Sequence, residues 1–149
     1  MTFDDIKRDF NFLIDKFGYE LVKEERYDNK SEFTLVYSNR LAKRRIMIDY
    51  NGNPSPTVKV YRTSTPYYNL INKFNLGFSE YWISEYIEEI SSGAFSYNDL
   101  IKKYEPDFFL KDYNEQAKIV TKLYQEILVT YLNDVISGKE WVNWERLRQ

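Results

Sequence analysis

The residues richest in chemistry lie between positions 79 and 99. That stretch holds Glu80, Glu85, Glu88, Glu89 and Asp99 without a single Lys or Arg, and interleaves Tyr81, Trp82, Tyr86, Phe95 and Tyr97 with them. Carboxylates beside Tyr and Trp suit the docking of a basic protein. The charges steer the encounter and fix register, while the rings supply buried area. Glu80, Tyr81, Glu85, Glu88, Glu89 and Tyr97 are therefore the candidate partner-binding residues. The same pattern also fits an ordinary helix that keeps its rings in the core and its acids in water.

A second cluster is basic: Arg40, Lys43, Arg44 and Arg45 lie on and after an expected turn. Such a group can hold phosphates, but four cations at a hairpin tip also protect a sheet edge and promote solubility. With a net charge of −2 and no nucleic-acid motif, the chain is not expected to bind nucleic acid. A third possibility is carboxylate catalysis, with Asp49 on a strand and Glu85 one helical turn from Glu88 or Glu89. General acid–base work by such a pair requires burial that splits the two pKa values. Finally, Tyr61, Tyr67 and Trp82, with Tyr68 and Tyr81, can line a pocket between sheet and helices. That gives the alternative of a small-ligand binder or a weak carboxylate enzyme.

Composition removes much else. The sequence has no Cys, which excludes disulfides, thiolate metal sites and Cys nucleophiles, and no His, which removes zinc sites and imidazole-dependent triads. It has five Gly and no P-loop, G-x-S-x-G or G-x-G-x-x-G. The expectation is a non-enzymatic chain with no catalytic residues, cofactor or metal. The N-terminus has no signal-peptide pattern, and no run of 18 uncharged apolar residues exists to span a membrane. A cytoplasmic protein with no membrane association is expected, and the wealth of Asn, Lys, Ile and Tyr points to a low-GC bacterial gene.

The elements that must position these residues follow from periodicity. At 149 residues, 43% of them hydrophobic, the chain is long enough for one domain, 1–149, with a real core. Its aromatic fraction is high at 18%, led by 14 Tyr and 10 Phe. Thr2 with Asp5 starts a helix whose stripe is Phe3, Ile6, Phe10, Leu13, Ile14 and Phe17, and Gly18 ends it. The period then changes to two. Strands are expected around Tyr19–Val22, Glu32–Ser38, Arg45–Tyr50 and Thr57–Tyr61, joined by short turns at 28–30, 39–43 and 51–56. Short helices are expected from Pro66, from Ser79 with Trp82, Ile83, Tyr86, Ile87 and Ile90 as its stripe, and from Ser96. A long helix over 113–137, about 37 Å of it, carries Ala117, Val120, Leu123, Tyr124, Ile127, Leu128, Tyr131, Val135 and Ile136 on one face. Asp112 caps its start and Gly138 follows its end. A last short helix should dock through Trp141 and Trp144. The fold class is thus α+β: a four-stranded antiparallel meander covered on one face by the N-terminal helix and the long helix.

The opening resembles a known group. Asp9-Phe10-x-Phe12-Leu13, Phe17-Gly18-Tyr19-x-Leu21, Val36-Tyr37-Ser38-Asn39 and Ile46-x-Ile48-x-Tyr50 are similar to small bacterial α+β proteins. Some proteins of this build look like immunity proteins of polymorphic toxin systems. The resemblance covers residues 3–63 and supplies no catalytic residues. It implies a protein partner, a basic toxin domain, whose active site the acidic-aromatic segment would plug.

Overall fold

The computed structural model describes residues 2–27, 32–51, 56–63, 80–82 and 97–141. Helix α1 (Phe3–Asp9) begins at a complete capping box. The Asp5 backbone N–H donates to Thr2 Oγ1 at 3.1 Å, and the Thr2 N–H donates to Asp5 Oδ2 at 2.9 Å. The expected single helix breaks at Phe10–Asn11 and resumes as α2 (Phe12–Phe17). Asn11 competes for local hydrogen bonds, as its type does, and its side chain donates to Asp15 at 2.7 Å. The break buries Phe10 and Leu13 and leaves Ile14 on the surface. Gly18 closes α2 in the left-handed region, at φ +70°.

Strands β1 (Glu20–Arg26), β2 (Glu32–Asn39), β3 (Arg44–Asn51) and β4 (Thr57–Arg62) form the expected antiparallel meander. The register pairs Leu35 with Ile48 and Ile48 with Val58, so alternation gathers Phe33, Leu35, Tyr37, Ile46, Ile48, Tyr50, Val58 and Val60 on one face. All eight are buried. Edge strand β1 carries Lys23, Glu24, Glu25 and Arg26 and a bulge between Leu21 and Lys23, both of which oppose edge-to-edge pairing. On the core side Lys7 pairs with Glu24, and Arg26 stacks 3.8 Å from the centre of the Phe3 ring, which tethers α1 to the strand.

The sheet continues past the meander. Residues Glu80–Trp82 form a fifth strand, β5, antiparallel to β4. This corrects the expected helix from Ser79 at these three positions: Tyr and Trp favour the pleated surface, and a sheet neighbour is available. The rest of that expected helix and the one from Pro66 lie outside the described residues.

Helix α3 (Tyr97–Tyr104), a 3₁₀ turn (Phe108–Leu110) and helix α4 (Tyr113–Glu126) follow. Asp112 caps α4 by accepting from the Glu115 N–H at 2.9 Å. The long helix is interrupted: a π-helical turn, Ile127–Tyr131, separates α4 from helix α5 (Asn133–Ile136). Leu132 N–H donates to Ile127 O at 3.0 Å, an i to i+5 bond. That wider turn brings Leu132 into the core and leaves Tyr131 57% exposed, so Leu132 takes the place expected for Tyr131. Ala117, Val120, Leu123, Tyr124, Ile127 and Leu128 share the core with Ile6, Phe10, Leu13 and the inner sheet face. Among the described residues, no helix is long and apolar enough to cross a membrane.

Candidate docking surfaces

The outer face of the sheet is set by the same alternation that fills the core. Thr57, Lys59 and Tyr61 of β4 lie on it, half-buried. Pairing places Glu80 opposite Tyr61, Tyr81 opposite Val60 and Trp82 opposite Lys59. Glu80 therefore joins a row with Tyr61, Arg45, Ser38 and Glu20, and Trp82 joins a row with Lys59, Met47 and Val36. Tyr81 takes a position on the opposite face, in line with the core residues Val60 and Ile46. A strand thus divides the acidic-aromatic set that a helix would have arranged differently. Glu80 and Trp82 share a face, and Tyr97 opens α3 elsewhere in the chain. Glu85, Glu88 and Glu89 lie outside the described residues.

The same register bears on the aromatic pocket. Tyr61 and Trp82 are diagonal neighbours on adjacent strands, a separation of about 7–8 Å between backbones. The Tyr61 hydroxyl donates to Met47 Sδ at 3.9 Å. Tyr67, the third candidate, lies outside the described residues.

Asp49, the strand acid, accepts a hydrogen bond from the Thr34 hydroxyl on the neighbouring strand. Among the described residues, the carboxyl groups that depart clearly from ordinary behaviour do so downward. The Thr2 backbone N–H, then its hydroxyl, hold Asp5 down at about 2, and the hydrogen bond and charge of Lys23 lower Glu25. A general acid at neutral pH needs the opposite shift. Among the described residues, no group of three or more Asp or Glu is placed to hold a metal ion.

The basic cluster divides in two. Arg40, Lys43 and Arg45 are exposed, but Arg44 is only 5% exposed. Its Nε donates to Val135 O at 2.8 Å, Nη2 to Glu140 O at 2.8 Å and Nη1 to Lys43 O at 3.0 Å, and its guanidinium lies 4.9 Å from the Trp141 ring centre. One of four apparently interchangeable cations is thus the clamp that holds the end of α5 against the hairpin. Charge counting cannot pick it out. The available sequence signal is strand alternation, because Arg44 stands two residues before Ile46, on the core face.

One further surface was not legible at all. A groove of about 690 Å³ runs where the α1–α2 break faces the π turn, lined among others by Arg8, Phe12, Lys16, Tyr104, Lys122 and Val129. The Gln125 side chain crosses it to donate to the Asp9 carbonyl. Two irregularities in the helices shape this groove, and neither has a sequence motif.

No family model, curated protein or solved structure matches the chain in any of the three comparisons.

Proposed function

We propose that the protein is a non-enzymatic protein-binding module, an immunity protein that neutralises a basic bacterial toxin domain in the cytoplasm. The observation that carries this reading is the position of Glu80 and Trp82 on β5, the last strand of the sheet among the described residues. An edge strand offers backbone donors and acceptors to a partner chain, and its side-chain rows give specificity. Here one row ends in an acid and the other in an indole, the pairing of steering charge and anchoring ring found at protein interfaces. Glu85, Glu88 and Glu89, which follow within nine residues of Glu80, extend the negative charge along the chain.

A pull-down with tagged protein from a lysate of its source cells, repeated at low and moderate salt, tests this. The expected result is one stoichiometric basic partner that weakens as salt rises and is lost with Glu85→Lys/Glu88→Lys. A partner that the folded double variant still holds tightly would remove the acidic segment from the reading.

The diagonal placement of Tyr61 and Trp82 favours a second reading, a small-ligand site completed by Tyr67. A thermal-shift screen of small aromatic and polar compounds discriminates it, because a saturating ligand raises the melting temperature.

A further inference from the structure

The β2–β3 hairpin is built to hold its tip still. Asn39 Nδ2 donates to Phe17 O at the end of α2, and Asn39 Oδ1 accepts from the Ala42 N–H, at 2.6 and 2.9 Å. Thr63 N–H donates to Lys43 O at 3.0 Å, and a Cβ on Gly138 would stand 2.6 Å from Ala42 O. Three separate parts of the chain therefore fix five residues of turn. Within it Lys43 sits at φ +56°, a left-handed conformation that a non-glycine residue keeps only where its surroundings hold it there.

What this rigid loop presents is unusual. Leu41 is 97% exposed and Val22, in the adjacent bulge, is 50% exposed. They border a notch of about 350 Å³ with Arg40, Arg45, Ser38 and Glu20. Among the described residues none of Arg40, Lys43 and Arg45 takes part in an ion pair. A solubilising tip needs neither a fixed backbone nor a fully exposed leucine. Both features suit recognition, because a loop ordered before binding does not lose that entropy on binding.

We infer that this tip is a docking site for an acidic segment of a partner protein. In that segment an apolar side chain packs on Leu41 and Val22 while flanking carboxylates reach Arg40 and Arg45. Charge complementarity selects the occupant: Arg40 and Arg45 line the notch, and neither forms an ion pair among the described residues. An acidic peptide fits better than a nucleic acid, since Leu41 and Val22 offer apolar surface and, among the described residues, no aromatic ring lines the notch for base stacking. This site goes beyond the proposed acidic edge and uses none of its residues, so either can fail alone.

The test is an array of labelled ten-residue peptides, each with one Leu or Phe flanked by three Asp or Glu. Their affinities, read by fluorescence polarisation, are compared with matched Asn/Gln peptides and with a twenty-residue oligo-dT. The expected result is binding by acidic peptides that falls at least about tenfold with Arg40→Glu/Arg45→Glu and severalfold with Leu41→Asp, and is unchanged by Glu85→Lys/Glu88→Lys. Should the double arginine variant not fold, Leu41→Asp, at a side chain almost wholly in water, decides alone. Acidic peptides no better than their amide controls, tighter binding of oligo-dT, or affinity that survives the folded variants would each overturn the inference.

Discussion

Tyr19 and Tyr37 are both fully buried, yet they answer oppositely to loss of the hydroxyl. Tyr19 donates to Ile136 O at 2.6 Å, linking the start of β1 to the end of α5, whereas the buried Tyr37 hydroxyl has no hydrogen-bond partner among the described residues. Tyr19→Phe therefore strands a buried carbonyl and should cost about 1–3 kcal/mol, while Tyr37→Phe should be neutral or stabilise by up to about 1 kcal/mol. Urea unfolding midpoints of the two variants check this. Burial also pushes both phenols up, Tyr37 to about 12, with the negative charge of Glu24 adding to it. A raised pKa means stability that is intact below the ordinary value of about 10 and lost as pH climbs from there toward 12. Asp5 works at the other end. Its pKa is depressed from 3.8 to about 2, so its contribution is present above pH 3.8 and disappears as pH falls through 2. Asp5→Asn should lower the melting temperature at pH 7 and match the parent chain at pH 1.5. Thr2 and Asp5 were readable as a cap from their spacing. The contrast between Tyr19 and Tyr37 was not, because both occupy inward positions and only the three-dimensional neighbour differs.

Among the elements, the hairpin clamp makes the sharpest demands. Gly138 combines φ +86° with backbone of Ala42 at 2.6–2.7 Å from any added Cβ, whereas Gly18 at φ +70° has its nearest neighbour, Asn39 Nδ2, at 3.8 Å. Gly18→Ala should cost about 1–2 kcal/mol for the left-handed conformation alone. Gly138→Ala should cost clearly more, since backbone must also move, and thermal unfolding of the pair separates the two effects. Arg44→Met removes donors from three carbonyls and should destabilise by at least about 3 kcal/mol, while Arg45→Met on the outer face should change stability by less than about 0.5 kcal/mol. The strands, the turn at 39–43 and the caps at Asp112 and Gly18 were legible because each rests on local pattern; the turns at 28–30 and 51–56 lie largely outside the described residues. The helix breaks were not. Ile127, Leu128 and Leu132 admit either a regular helix with Tyr131 inward or a π turn with Leu132 inward, and packing against the sheet decides. Strand β5 was hidden for a related reason: Glu80–Trp82 is too short to show a period, and its pairing with β4 is a tertiary choice.

At the scale of the whole molecule, one face of the sheet is committed to the helices and the other is only half-buried. One outer row holds the register positions Glu20, Ser38, Arg45, Tyr61 and Glu80, so residues of both charges alternate along it. Partner binding through such a row should weaken with salt, as the screening length shrinks from about 10 Å at 0.1 M to about 3 Å at 1 M. Fold class was the most legible property, since period and turn length specify a meander backed by helices. Function was the least, because the candidate interface residues are ordinary Glu, Tyr, Trp and Arg whose meaning depends on what they stand beside. Backbone hydrogen exchange with and without the captured partner reports whether the β5 edge receives a protein, as proposed. Exchange should slow at residues 80–82 and across the outer positions of β4, and the protection should be reversed at high salt. Protection confined to the groove between the N-terminal helices and α4, with residues 80–82 unchanged, would contradict the proposal.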